Sequence, residues 1–165
     1  MIVRREESKD FARVFELNSQ AFEGDTEARL VEALRKNPEC ISLVAEIDGQ
    51  VVGHIAFSPL TLNDEATAYL GLAPMAVIPD RQRTGLGSAL IKEGIARAAA
   101  SGIEAIFVLG HPSYYPKFGF EPAKRSGFAC EYPDADDAFM ALELRPGSLA
   151  GKSGLIKYGP EFAMF

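Results

Sequence analysis

The segment LAPMAVIPDRQRTGLGSAL (72–90) constrains the fold more than any other part of the chain. Its first six residues, 72–77, are predicted to form a buried strand, and the loop that follows opens a helix. Pro74 has no backbone N–H, so it predicts that strand pairing lapses within this strand. Gly85 and Gly87 allow the loop a left-handed backbone and a close approach to a ligand.

The loop has the features of an anion site, because the amides that begin a helix have no partner within it. The positive end of the helix dipole adds to the attraction for an anion, and a diphosphate is the typical ligand of such a loop. Arg81 and Arg83 add positive charge. A P-loop is excluded because no Gly-Lys-Ser/Thr occurs in this loop, and a dinucleotide fingerprint is excluded because Leu90 stands at its third glycine. A plain glycine turn is the alternative. The predicted ligand-binding residues of the loop are Gln82, Arg83, Thr84, Gly85, Leu86, Gly87 and Ser88.

Main-chain groups of Met75, Ala76 and Val77 are predicted to face a gap where this strand and the strand AIFVL (105–109) stop pairing. An extended ligand that bears amides could pair with them like an added strand. A diphosphate beyond the strand end, joined to a peptide-like arm along the strand, describes coenzyme A.

Hydrophobic periodicity predicts the order α-α-β-β-β-α-β-(short α)-β. Asp48-Gly49 predicts a tight hairpin between two of the strands. This order predicts a mixed α/β fold with a mostly antiparallel central sheet of about six or seven strands and helices on both faces. The predicted helices are 9–22, a second after Asp25 that ends at Asn37-Pro38, and 85–100, with a short helical or looped piece at 112–120. The predicted strands are 42–47, 51–60, 68–77, 105–109 and 139–144.

Composition narrows the function classes. With 165 residues the chain fits one domain, and its net charge of −6 gives a nucleic-acid partner little support. There is no apolar run of 18 residues and no signal peptide, so no membrane span is expected. Cys40 and Cys130 predict two free thiols in a reducing cytosol, and with His54 and His111 they are too scattered for a metal site. We therefore expect a cytoplasmic protein without a metal.

Residues 72–91 resemble the acetyl-CoA signature of the GNAT acetyltransferase superfamily, in which Gln/Arg-x-x-Gly-x-Gly/Ala opens a helix after a strand. The segment YYPKFGFEP is similar to the superfamily's later Tyr-x-x-x-Gly-Phe segment, with Tyr115, Gly119 and Phe120 in the matching places. The segments SLVAEIDGQVVGHIAFSP, VLGHPSYYPKFGF, FMALEL and GLIKYGPEF resemble the YhbS-like bacterial branch. The resemblance covers nearly the whole chain and implies a GNAT-like fold.

The resemblance implies an N-acetyltransferase that uses acetyl-CoA as co-substrate and moves the acetyl group to an amine by direct attack in a ternary complex. It also implies a backbone N–H of the strand Met75–Val77 as donor to the oxyanion. Tyr115 matches the tyrosine that acts as general acid in the superfamily, and Tyr114 next to it is an alternative. An acyl-CoA-binding module of the same fold with little or no turnover is the alternative function.

The general base is less clear from the sequence. Many relatives carry a glutamate on the strand that corresponds to residues 68–77, but this sequence has no acidic residue there. His111, directly after the buried strand 105–109, is a possible base because histidine titrates near neutrality. Proton removal through ordered water is the alternative. His54 alternates with apolar residues along a strand, which predicts a half-buried structural histidine.

One N-acetyltransferase domain is expected over residues 1–165, with a core of about 1–145. The apolar residues of the extension 146–165 require burial, which an extra strand on this domain or on a partner subunit would provide, so a homodimer is possible. The acceptor is a small-molecule or peptidyl amine. Amino acids, polyamines, antibiotics, a protein N-terminus and a tRNA-linked group all fit this description.

Overall fold

The computed structural model describes residues 1–132 and 135–164, which form three α-helices and nine strands. The helices are α1 (Phe11–Phe22), α2 (Thr26–Leu34) and α3 (Leu86–Ala100). The strands are β1 (Ile2–Arg5), β2 (Ile41–Ile47), β3 (Gln50–Leu62), β4 (Glu65–Val77), β5 (Ala105–Leu109), β6 (Glu121–Pro122), β7 (Phe128–Cys130), β8 (Phe139–Glu143) and β9 (Gly154–Lys157). Short 3-10 turns include Ser8–Asp10, Pro79–Arg81, Tyr115–Phe118 and Pro160–Met164.

The strands form one mixed sheet whose main path runs β1-β2-β3-β4-β5-β8-β6. The pairs β1–β2, β2–β3, β5–β8 and β6–β8 are antiparallel, and β4–β5 is parallel. Strand β9 lies off this path and pairs antiparallel with β3 and parallel with β7. The mixed, mostly antiparallel sheet with helices confirms the predicted fold class.

Residue contacts divide the chain into two compact units. The first contains residues 1–57, 73–96 and 160–165, and the second contains residues 58–72 and 97–159. Strands β3 and β4 and helix α3 each contribute residues to both. The expected single domain stays a prediction, and residue 165 at its end lies outside the described residues. None of the helices within residues 1–132 and 135–164 is long and apolar enough to cross a membrane.

In the first unit, helices cover β3 on both faces. Successive side chains of a strand point to opposite faces, so Phe57 and His54 lie on different sides of the sheet. The Phe57 ring occupies the space that a side chain at Gly94 of α3 would need. The His54 ring lies 3.5 Å from the amide nitrogen of Asn18 in α1. The predicted placement of helices on both faces is therefore confirmed.

The core of the second unit is a cluster of aromatic rings on β4, β5, β7 and β8. The Phe107 ring lies at its centre, with ring centroids 5.5 Å from Tyr69, 5.4 Å from Phe128 and 5.6 Å from Phe139. Such offset ring pairs add to the stabilisation that burial itself supplies. The parallel ladder between β4 and β5 runs beside this cluster and pairs Tyr69–Leu72 with Ala105–Val108.

Local sequence signals located the longer elements correctly. Ile47 pairs with Gln50 across a two-residue loop in which Asp48 has φ 51° and Gly49 φ 78°, so the predicted hairpin is confirmed. Strands β1, β6 and β7 are not predicted, because they contain only 4, 2 and 3 residues, too few for an alternating pattern to be visible. Strand β9 is the extra strand that was expected in the C-terminal extension, and it pairs within this chain.

Candidate functional site

The end of β4 carries the three residues predicted to face a ligand. Ala76 is buried, whereas Met75 and Val77 are half-buried. The Gln82 side-chain amide donates a hydrogen bond of 3.1 Å to the Val77 carbonyl. The Val77 carbonyl therefore already accepts a hydrogen bond within the chain. The expectation that it would be free to bind a ligand in the gap is wrong. The Gln82 side chain ties the loop to the strand end, a role that no sequence pattern signals.

The loop between β4 and α3 has an unusual backbone. Arg83 has φ 64° and Gly85 has φ 90°, both in the left-handed region. No atom lies within 4 Å of a Cβ built on Gly85, so the space beside it is open. The hydroxyl of Thr84 donates to the carbonyl of Arg81. The Ala89 N–H donates to the Gly85 carbonyl at 3.0 Å. The amides of Leu86, Gly87 and Ser88 come before this residue in the first turn of α3, where a helix supplies no acceptor of its own.

These features fit a diphosphate. The N-terminus of α3 directs its amides and the positive end of its dipole towards the loop. Arg81 and Arg83 are exposed beside it and supply charge. The left-handed Gly85 leaves room for a ligand to reach the backbone, so both the donor set and the available space match what a diphosphate requires.

The second unit contains the predicted acid. Tyr115 begins a 3-10 turn and is 7% exposed. Its ring occupies the space that a side chain at Gly110 would need, and its centroid lies 5.6 Å from that of Phe120. No local sequence pattern predicts that Gly110 makes room for the Tyr115 ring. Its position directly after the buried strand β5 fits a place where a ring packs against the backbone.

The environment of the tyrosine pair favours a protonated Tyr115. Burial raises the pKa of Tyr115 to about 12, and the neighbouring Tyr114 contributes a smaller increase in the same direction. The hydroxyl therefore keeps its proton at neutral pH. Tyr114 is half-buried, its ring lies 5.2 Å from that of Tyr115, and the Lys117 ammonium lies 4.8 Å from the Tyr114 ring centroid.

His111, the possible base, is exposed in the second unit. Its carbonyl accepts hydrogen bonds from the N–H of Tyr114 at 3.0 Å and of Tyr115 at 3.3 Å. The backbone of His111 therefore anchors the turn that carries both tyrosines, whatever its imidazole does. His111 and Tyr115 belong to the second unit, whereas residues Met75–Val77 and Gln82–Ser88 belong to the first.

His54 is fully buried, so the prediction of a half-buried histidine is wrong. Its Nε2 lies 2.8 Å from the Ser42 hydroxyl oxygen, and the Ser42 hydroxyl donates to Glu6 Oε1 at 3.0 Å. Because the serine proton points at Glu6, the His54 Nε2–H donates to Ser42. The Nδ1 atom then accepts from the Asn18 amide, 3.5 Å away. Alternation along β3 gives the face of His54 but not the α1 residue that covers it.

An ion pair completes this network. Arg35 donates to both carboxylate oxygens of Glu6, at 3.1 and 2.8 Å, and its guanidinium carbon lies 3.8 Å from the Phe11 ring centroid. Burial lowers the pKa of His54 to about 4, against a smaller opposing effect of Glu6. His54 is therefore neutral at pH 7, and its hydrogen bonds and burial indicate a structural role rather than a catalytic one.

Comparison with known proteins identifies the family. Residues 11–120 match the acetyltransferase (GNAT) family. The chain is 36% identical over 167 residues to the N-acetyltransferase YhbS of Escherichia coli K12, with 100% of both chains covered. The crystal structure of YhbS from Escherichia coli in complex with CoA has a TM-score of 0.93 and 35% identity, with 98% of this chain and 91% of that chain covered.

A GNAT family acetyltransferase from Brucella melitensis, crystallised with acetyl-CoA, has a TM-score of 0.82 and 33% identity, with 98% of this chain and 97% of that chain covered. The chain therefore belongs to the GNAT family of N-acetyltransferases, which are acyltransferase enzymes. The resemblance to the YhbS-like branch that was inferred from the motifs is confirmed.

Proposed function

We propose that the protein transfers an acetyl group from acetyl-CoA to the amine of an acceptor, by direct attack in a ternary complex. The observation that carries this proposal is the loop Gln82–Ser88, with its left-handed Arg83 and Gly85 and open space ahead of α3. Membership of the family supports it, as do the relatives crystallised with CoA and acetyl-CoA.

The residues that would hold acetyl-CoA fall into two groups. The main chain of Met75, Ala76 and Val77 pairs with the peptide-like arm, except for the Val77 carbonyl, which already accepts from Gln82. An N–H of this strand donates to the carbonyl oxygen under attack. The amides of residues 82–88 bind the diphosphate, and Arg81 adds charge. When bound, acetyl-CoA supplies an acetyl thioester.

Tyr115 is the general acid of this proposal. Its pKa of about 12 lies well above the value of about 8.5 for a thiol, so complete proton transfer to a free thiolate would be uphill. The Tyr115 hydroxyl therefore acts chiefly as a hydrogen-bond donor while negative charge develops on the sulfur, and it gives up its proton late.

Removal of a proton from the incoming ammonium needs a base. His111 is our candidate because it is exposed and an imidazole can take up a proton near neutral pH. Ordered water is the other route. The acceptor is a small-molecule or peptidyl amine. The lack of a carboxylate in residues 68–77 favours a second candidate function, an acyl-CoA-binding module with little turnover.

Melting temperature tests the binding step. Acetyl-CoA at about 100 Kd should add about 2.7 kcal/mol and raise Tm by about 5 °C or more, and ATP or dephospho-CoA should raise it less. The double variant Arg81→Glu/Arg83→Glu should lose most of this shift. The control is Arg29→Glu, the same kind of substitution at one exposed position of α2, which should keep the shift. No shift with millimolar acetyl-CoA in the wild type would contradict the proposal.

Turnover tests the acid and separates the two candidate functions. Thiol release from acetyl-CoA is measured with spermidine, lysine, an aminoglycoside and a peptide with a free N-terminus. Tyr115→Phe should lower turnover about 10²-fold and leave acetyl-CoA binding intact. Tyr114→Phe is the matched control. Loss of turnover in that variant alone would assign the acid to Tyr114, and binding without turnover on any amine would favour the binding module.

A further inference from the structure

A cavity of about 530 Å³ lies in the second unit, beside its aromatic core. Tyr69 of β4 belongs to both, because its ring packs in the cluster around Phe107 and the residue also lines the cavity. Thr67, two residues earlier on the same face of β4, lines the cavity as well. Glu104, which directly precedes β5, is a third residue of its wall. The proposed transfer uses none of these residues.

The Tyr69 hydroxyl is a buried group without a partner. Tyr69 is 2% exposed, and its hydroxyl oxygen has no hydrogen-bond partner among residues 1–132 and 135–164. The Phe107 and Phe128 rings lie 5.5 and 6.5 Å from its own ring, centroid to centroid, and hold it in place. A buried hydroxyl is costly unless it is hydrogen-bonded, so this one points to a missing partner. The cavity is where such a partner can enter.

Glu104 supplies a negative charge at the same cavity. Its backbone is fixed on both sides, because its N–H donates to the Ala68 carbonyl at 2.8 Å and its carbonyl accepts from the Leu144 N–H at 2.8 Å. The side chain is 21% exposed, and the Arg145 guanidinium donates to Oε2 at 3.1 Å, which leaves Oε1 for a ligand. Burial raises the pKa of Tyr69, and the charge of Glu104 raises it further, so the hydroxyl keeps its proton at neutral pH and can donate it.

The cavity carries charges of both signs. Glu65 and Lys152 line it and are exposed. A simple cation would be repelled by Lys152, and a simple anion by Glu65 and Glu104. A ligand that carries both an ammonium and a carboxylate group finds a partner for each. Apolar side chains complete the walls and suit a small apolar body between the two groups: Leu62, Ala66 and Ala68.

We propose that this cavity binds a free α-amino acid with an apolar side chain. The ammonium group donates to Glu104 Oε1, and the carboxylate accepts from the Tyr69 hydroxyl and the Lys152 ammonium. Binding is reversible and no covalent bond changes. The site lies entirely within the second unit, and the inference goes beyond the proposed function without depending on it.

Titration of the 15N-labelled, ligand-free protein with alanine and with leucine tests the site. Millimolar amino acid should shift the amide resonances of residues 66–69, 104 and 152 in a saturable way. Alaninamide lacks the carboxylate and N-acetylalanine lacks the ammonium group. Each should bind about tenfold or more weakly than alanine, the effect of losing a hydrogen bond to a charged group.

Three variants assign the two ends of the ligand. Glu104→Gln should weaken alanine binding about tenfold and change that of N-acetylalanine little, because it removes the partner of the ammonium group. Tyr69→Phe and Lys152→Gln should weaken alanine binding by a similar factor and change that of alaninamide little. Glu121→Gln removes an exposed carboxylate of β6 and is the matched control for Glu104→Gln, so it should bind alanine like the wild type.

Melting temperature gives a second readout for the hydroxyl. Tyr69→Phe removes a buried hydroxyl without a partner, so its Tm in the absence of ligand should not fall below that of the wild type. Saturating alanine should raise the Tm of the wild type more than that of the variant. Lys152→Gln changes an exposed side chain and keeps the assignment testable if Glu104→Gln does not fold.

Three results would overturn the inference: no saturable shift with either amino acid, equal affinity for alanine and alaninamide, or a ligand-free Tyr69→Phe that melts below the wild type. None of these measurements contains acetyl-CoA. Their failure would therefore leave the proposed function standing, and a wild-type chain that does not bind acetyl-CoA would leave this inference standing.

Discussion

The buried His54 should make the protein sensitive to acid. Burial lowers the pKa of His54 from 6.5 to about 4, so the unfolded chain binds this proton more readily than the folded one. Stability is therefore complete above pH 6.5 and is lost as pH falls towards 4. The full loss is about 3 kcal/mol, of which about 2 kcal/mol falls between pH 7 and pH 5.

The hydrogen bonds around the ring explain why the folded protein resists this proton. The Nε2–H already donates to Ser42, whose own proton goes to Glu6. Protonation would place an N–H on Nδ1, facing the Asn18 amide that now donates to it from 3.5 Å. Two donors would then face each other in a fully buried site, which opposes protonation and weakens the contact with α1.

Urea denaturation at pH 7 and pH 5 measures the effect. The wild-type free energy of unfolding should fall by about 2 kcal/mol more over this interval than that of His54→Gln, which retains an N–H but cannot take up the proton. His111→Gln replaces the only other histidine of the sequence, at an exposed position, and should keep the wild-type dependence. An equal pH dependence in the wild type and in His54→Gln would refute the reasoning.

Two further substitutions test the loop and the packing of the first unit. Gln82→Ala removes the hydrogen bond to the Val77 carbonyl and should weaken acetyl-CoA binding up to about tenfold in calorimetry, and an unchanged Kd would contradict the anchoring role. Gly94→Ala places a methyl group in the Phe57 ring and should cost about 1–3 kcal/mol in urea denaturation. Gly24→Ala, with no atom within 4 Å of its Cβ position, is the matched control and should cost nothing measurable.

Local signals were sufficient for much of the fold. The Asp48-Gly49 hairpin has both residues in the left-handed region, as its sequence requires, and α3 begins within two residues of the expected Gly85. These features depend on neighbours along the chain. The family resemblance likewise rests on two short motifs whose spacing is visible in one sequence.

Contacts between distant segments could not be predicted. The alternation of β3 places His54 on a face, but its burial depends on Asn18 of α1, 36 residues away. Even the bond from the Gln82 side chain to the Val77 carbonyl, five residues away, could not be predicted, because this side chain could equally have pointed to solvent or to the ligand. The sequence alone indicates only that Tyr158 is an apolar residue of the C-terminal extension. Nothing in that segment predicts that the Tyr158 ring packs on Gly71 of β4.

The space around each glycine distinguishes a ligand-binding site from a packing position more clearly than a sequence motif does. Gly71 and Gly94 lack a side chain because a ring of the same chain fills the space, Tyr158 in one case and Phe57 in the other. The space beside Gly85 is open, but so is that beside Gly49 in a plain hairpin turn. What distinguishes Gly85 is its place directly before α3, because the first amides of a helix have no acceptor within that helix. Open space at a helix N-terminus is what a bound diphosphate requires, and the loop that begins at Gln82 combines both with a family motif.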